Sequence, residues 1–202
     1  MKIKICGLNP ARDVQLCIDL KVNFLGFVFY KKSPRNTDLK DLNKLSKFNR
    51  KNSSFVAVTV NPTDKFIKEN LQGNFEYIQL HGTETKARIT EIKNMGFKTI
   101  KAVKVKEERD IYKYKEFDNA DIILFDTPAM EKSLEFPKNL VTRLPSGKKY
   151  ALAGSVSENN VANLSKLGVN FFDLSSSLES QLGYKDHFKI RSFINKINEL
   201  KN

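Results

Sequence analysis

Eight times along this chain a short run of β-branched or aromatic residues gives way to a stretch with helical spacing. That alternation constrains the fold more than any single motif. The strand candidates are KIKIC, FLGFVF, FVAVTV, YIQLH, TIKAVKV, IILFD, YALAG and FFDLS. Each is nearly continuous in apolar residues, the pattern of parallel strands covered on both faces. Helical spacing follows in Val14, Cys17 and Ile18 after the first strand, and in Ile190, Phe193, Ile194 and Ile197 near the C-terminus. Asn9 with Pro10, and Asn61 with Pro62, predict helix starts with an N-cap side chain and a proline at the first helical position. Ser157 predicts a third such cap. Gly96, Gly147 and Gly168 predict helix ends.

Eight βα units in 202 residues predict an α/β fold, a single-domain (βα)8 TIM barrel spanning residues 1–202 with short helices and loops. An open doubly wound sheet is the alternative, but the GxGxxG turn that usually accompanies it is absent.

No stretch approaches the roughly 20 apolar residues of a membrane span, and MKIKICGL has neither the apolar core nor the cleavage site of a signal peptide. The expectation is a soluble cytoplasmic protein with no membrane partner. Cys6 and Cys17 have no CxxC spacing and no clustered histidines beside them, so two free thiols and no metal site are expected. The formal net charge of +12 raises nucleic acid as a partner. Its distribution argues against one: the cations are mostly lysines spread over every predicted helix, with no arginine-rich arm, which reads as a solvated outer face. The outer helices offer no unmistakable apolar seam, so monomer and homodimer both stay open.

In a barrel, the C-terminal strand ends and the loops after them form the active site. They supply Cys6, Ser33 with Arg35, Asn61, His81, Lys101 or Lys104, Asp126, Gly154 with Ser155, and Asp173 with Ser175 and Ser176. Cys6 and Asp126 end the first and sixth strands and are expected to face each other across the mouth, an arrangement suited to proton abstraction coupled to protonation elsewhere. A basic thiolate calls for a Cys6 pKa lowered by positive charge. An acidic Asp126 calls for one raised by burial or a neighbouring carboxylate. A buried small hydrophobe at Cys6 and a structural acceptor at Asp126 are the bland alternatives. Gly154, Ser155 and Ser176 sit where backbone amides bind phosphate after strands seven and eight, or else form ordinary turns. Arg35 could clamp a carboxylate in a bidentate fork, or be one more surface cation. His81, taken alone, reads as a structural residue.

Together KICGLN, LGFVFYKKSPR, VTVN, IQLHGTE, IKAVKV, ILFDT, LAGSVSENNV and FFDLSSSLESQLGYKD resemble the phosphoribosylanthranilate isomerase family of tryptophan biosynthesis, over nearly the whole chain. The resemblance implies an Amadori rearrangement of a phosphosugar substrate without cofactor or metal. It implies Asp126 as the general acid that opens the furanose ring and Cys6 as the general base at C2. Arg35 would hold the anthranilate carboxylate with His81 nearby, Gly154, Ser155 and Ser176 the phosphate, and Asp173, as a strand-end acid, would face the sugar. The sequence departs from the family after Asp126, where TPAMEKSLEFPKN has no glycine and Pro137 replaces an acid. Ser155 and Ser177 stand where the family has glycine. These departures imply weaker substrate binding or slower turnover. They leave a phosphosugar-binding barrel with lost or altered turnover as the alternative function, and an RNA-binding accessory protein as a more distant one.

Overall fold

The computed structural model describes residues 1–126, 141–144, 150–154 and 156–201. Eight parallel strands close into a barrel in chain order. They are β1 (Lys2–Cys6), β2 (Phe24–Phe29), β3 (Ser54–Thr59), β4 (Tyr77–Leu80), β5 (Lys98–Lys104), β6 (Ile122–Asp126), β7 (Tyr150–Leu152) and β8 (Phe171–Leu174). Pairing of β1 with β8, from Lys2 opposite Phe171 to Ile5 opposite Leu174, completes the ring.

The near-continuous apolar runs have a two-sided explanation. Successive side chains on a strand point to opposite faces, and here each face has its own apolar environment. Ile3, Ile5, Leu25, Phe27, Phe55 and Ile78 belong to the large core between barrel and helices. Phe24, Val28, Val56, Val58, Ile100 and Leu124 form a second, interior core. Burial of one such side chain contributes roughly 1.5–3 kcal/mol relative to exposure, so both parities are fixed by packing. At the N-terminal end of the interior, Phe24 stacks on Phe171 with ring centroids 4.9 Å apart and meets the edge of Tyr77 at 5.3 Å. Those rings fill that end and leave the C-terminal mouth for a ligand.

The helix His187–Glu199 buries the stripe Ile190, Phe193, Ile194 and Ile197, as its spacing predicts. The N-caps, however, are not the predicted ones. The helix after β1 begins at Val14, with Asp13 in the cap position. Asn9 instead closes a turn, its side chain accepting from the Ala11 amide at 3.0 Å and its carbonyl from the Asp13 amide at 3.0 Å, so Pro10 precedes the helix. Asn61 has a positive φ of 48°, incompatible with the extended cap conformation. Thr63 caps in its place, accepting from the Phe66 amide. Ser157 gives way to Asn160 as the residue before the helix Val161–Lys166. Gly96 and Gly168 do end their helices with positive φ, while Gly147 lies outside the described residues.

An antiparallel hairpin of β9 (Glu179–Gln181) and β10 (Tyr184–Lys185) stands between β8 and the last helix, an element that the eight apolar runs do not predict. Among the described residues, no helix is long and apolar enough to cross a membrane. Both cysteines are free, and burial pushes the Cys17 thiol up to about 12.

Candidate active site

Parity decides which rim residues enter the barrel mouth. Cys6 shares the inward face of β1 with Lys4 and packs against the interior core. Asp126 shares the inward face of β6 with Leu124, and His81 continues the face of Gln79 just past β4. His81 Nε2 lies 3.3 Å from Asp126 Oδ2, the two side chains 28% and 22% exposed. Cys6 is partly exposed. The two strands that carry Cys6 and Asp126 are separated around the ring by β7 and β8, so the residues flank one sector of the mouth and are not diametrically opposed.

Lys101 leaves the rim by the same rule. It points outward, where its ammonium meets Glu84 at 2.8 Å and lies over the Phe117 ring. Lys104, on the face of Ala102 and paired in register with Asp126, is the β5 cation at the mouth. Asn61 and Ser33 hold loops: Asn61 Oδ1 accepts from the Thr83 amide at 3.0 Å and Ser33 Oγ from the Arg35 amide at 3.1 Å.

Arg35 is placed against Cys6 by the glycine that follows the cysteine. Gly7 has φ +75°, and a Cβ there would stand 2.6 Å from Arg35 Cδ, so the arginine stem occupies the space a side chain would take. Its guanidinium is engaged within the protein. Nε and Nη2 donate to the two Glu179 oxygens at 2.6 and 2.7 Å. Glu179 also accepts from Lys185 Nζ at 2.7 Å. Burial alone would raise the Glu179 pKa; Arg35 and Lys185 outweigh it and bring the carboxyl down to about 2. Lys185 further donates to the Ser175 carbonyl at 3.2 Å, and Ser175 Oγ donates to the Cys6 carbonyl at 3.2 Å. The hairpin thus ties Arg35 to the backbone at Cys6.

Asp173 does not occupy a strand end. It lies one residue inside β8, opposite Lys4 in register, with its Oδ2 at 2.8 Å from Lys4 Nζ and the side chains only 6% and 1% exposed. Burial works against the Lys4 charge, but Asp173 and Cys6 outweigh it and raise the Lys4 pKa above the ordinary lysine value. The Cys6 thiol moves opposite to expectation. Burial pushes its pKa above the ordinary value, with Lys4 and Lys185 opposing and Asp173 adding to the rise. Two nearby cations do not offset the loss of solvent around the sulfur.

Gly154, with φ +83°, follows β7. Ser176 opens a short 3-10 turn, Ser176–Leu178, after β8. These loops follow neighbouring strands. A cavity of about 230 Å³ lies between the two segments, with Ser157, Glu158 and Asn159 on one side and Ser177 and Leu178 on the other, closed by Lys189 and Phe193. The N-terminus of the last helix is already satisfied by Asp186, which accepts from the Phe188 and Lys189 amides. Ser155 and the glycine-free segment that contains Pro137 lie outside the described residues.

Sequence reasoning missed Lys4, Glu179 and Lys185, because lysines were read as solvated and the hairpin was not foreseen. The signal for Lys4 was available: two residues before Cys6 on a strand, it must share the cysteine's face.

The chain matches the family model described as N-(5'phosphoribosyl)anthranilate (PRA) isomerase over residues 3–196. It is 37% identical over 209 residues to N-(5'-phosphoribosyl)anthranilate isomerase of Aquifex aeolicus, covering 96% of this chain and 97% of the relative. Its fold superposes on phosphoribosyl anthranilate isomerase from Thermotoga maritima with a TM-score of 0.88 at 28% identity, covering 98% of this chain and 99% of the other. A further solved phosphoribosyl anthranilate isomerase, in complex with reduced 1-(o-carboxyphenylamino)-1-deoxyribulose 5-phosphate, matches with a TM-score of 0.83 at 28% identity, covering 98% of this chain and 99% of the other.

Proposed function

The chain belongs to the N-(5'-phosphoribosyl)anthranilate isomerase family, and from that premise we propose that Cys6 and Asp126 divide the proton transfers of its reaction between them. The protein is an isomerase of tryptophan biosynthesis that converts phosphoribosylanthranilate to 1-(2-carboxyphenylamino)-1-deoxyribulose 5-phosphate. The observation that supports the assignment is the pairing of an inward thiol at the end of β1 with an inward carboxyl at the end of β6, on one sector of one mouth.

Asp126 protonates the furanose ring oxygen as the C1–O bond breaks, and the anilino nitrogen lone pair closes the C=N bond of the Schiff base. Cys6 then takes the C2 proton. The C–H electrons form C1=C2 and the C=N electrons return to nitrogen, giving an enolamine. Protonation at C1 and loss of the C2 hydroxyl proton yield the ketone, and solvent restores Cys6 and Asp126 to their starting states. The chemistry needs an acid and a base on different atoms of one small molecule, which two strand ends of a barrel supply.

Arg35 binds the anthranilate carboxylate, with His81 close by through Asp126. Gly154, Ser155 and Ser176 bind the phosphate, whose remote contacts hold the sugar for the two proton transfers. Steady-state turnover of the anthranilate substrate by the purified protein tests the whole reading, since binding without product would leave only the phosphosugar-binding role.

A further inference from the structure

Beneath the Cys6 thiol lies an ion pair that packing does not require. Lys4 Nζ and Asp173 Oδ2 are 2.8 Å apart with side chains 1% and 6% exposed, among interior positions otherwise filled by residues such as Val56, Ile100 and Leu124. A buried ion pair of this kind rarely improves on an apolar pair of similar volume. This one is also under-coordinated, for Asp173 Oδ1 is buried with no hydrogen-bond partner among the described residues. What the pair does provide is a fixed charge close to the sulfur. Gly26 is the β2 residue paired with Cys6, and a Cβ on it would stand 3.2 Å from both Cys6 Sγ and Lys4 Cε. The missing side chain leaves one gap that the sulfur and the lysine stem both border.

We propose that Lys4 is a positioning residue for the reaction: an ammonium anchored by Asp173 inside the barrel that compensates the charge of the Cys6 thiolate across the space Gly26 leaves open. The proposal rests on the reading of Cys6 as the base. Other charged groups act around this site: Asp173 from β8, on which Asp126 at the end of β6 and His81 after β4 act in turn, Lys185 from β10, and Arg35 from the loop after β2, whose charge also interacts with Cys6. Lys185 and Arg35 are both tied to Glu179, so Lys4 and Asp173 are the pair whose removal changes the field at the sulfur in opposite senses.

The test is the pH dependence of Cys6 alkylation by iodoacetamide in the wild type, Lys4→Met, Lys4→Arg, Asp173→Asn and the double variant Lys4→Met/Asp173→Asn, with the labelled cysteine identified by mass. Cys17 is fully buried and serves as the internal control. Lys4→Met moves the alkylation midpoint up by about one pH unit, roughly a tenfold loss of rate at neutral pH. Lys4→Arg leaves the midpoint near wild type, and Asp173→Asn moves it down. The kcat/KM of Lys4→Met falls about tenfold at neutral pH and recovers as pH rises, which structural damage does not do. If Lys4→Met fails to fold with Asp173 unpaired, the double variant is compared with Asp173→Asn, and its midpoint lies higher. Equal midpoints in that comparison, or shifts of the same sign in Lys4→Met and Asp173→Asn, overturn the proposal. Alkylation reports on the thiol and not on turnover, so a Cys6→Ala enzyme that kept its activity would remove the base assignment without touching this result.

Discussion

Arg35 and Glu179 meet fork to fork, Nε on Oε1 at 2.6 Å and Nη2 on Oε2 at 2.7 Å, although 144 residues separate them in the chain. The pair fixes the guanidinium plane, while the arginine stem fills the space beside Gly7, the residue after Cys6. Under the proposed reading, an incoming carboxylate meets an arginine already oriented.

Loosening that orientation is expected to weaken binding more than chemistry. Glu179→Gln removes the charge from two short contacts, each of a kind worth about 1.5–3 kcal/mol, and is expected to raise KM roughly tenfold while kcat changes less. Arg35→Lys, which loses the planar fork, is expected to lower kcat/KM by about tenfold or more. Steady-state kinetics on both variants checks the split; a Glu179→Gln enzyme with wild-type KM removes the positioning role.

The same carboxylate has a stability signature. Its folded-state pKa of about 2 lies below the ordinary 4.5, so the unfolded chain binds its proton first as pH falls. The stabilisation is present above about pH 4.5 and is lost progressively towards about pH 2, about 3 kcal/mol in all. Urea unfolding of the wild type across that window is expected to show this slope, and Glu179→Gln is expected to flatten it.

For Cys6 the direction is opposite to the sequence expectation and gives a kinetic prediction. With its pKa raised by burial, the thiolate is the minor form at neutral pH. The kcat/KM of the wild type is expected to increase with pH, by up to tenfold per unit on the acid side of the Cys6 pKa. A profile flat from about pH 6 to about pH 9 is incompatible with a free thiol of raised pKa acting as the base.

Gly26 is explained by space, not backbone conformation. A methyl group there would stand 3.1 Å from Cys6 Cα and 3.2 Å from Sγ, in a strand where neither neighbour moves freely. Gly26→Ala is expected to cost about 1–3 kcal/mol of stability and to lower kcat by displacing the sulfur. Thermal melts read with turnover check this, and unchanged values for both contradict it.

The barrel was legible because its signal is local and repeated eight times. Each apolar run had only to show that it is covered on both sides, and Leu25, Phe27 and Phe55 on one face with Phe24, Val28 and Val56 on the other are that cover. The placement of Cys6, Asp126 and His81 at the mouth followed from strand ends alone. What escaped the sequence depends on partners far along the chain. Asp173 became an interior residue because Lys4 stands opposite it, and Glu179 acquired a role because a hairpin folds back on Arg35. The proline-based helix starts failed for a different reason: Asn9 and Asn61 spend their side chains on turns, and capping passes to residues a few positions on.

The most direct measurement is kcat for Cys6→Ala and Asp126→Asn on phosphoribosylanthranilate, with circular dichroism confirming that each variant keeps the wild-type fold. Loss of an acid or a base from the reacting atoms is expected to cost about 10²–10⁴-fold in kcat with little change in substrate binding. Folded variants that turn over within a few-fold of the wild type would contradict the assignment of the two proton transfers to Cys6 and Asp126.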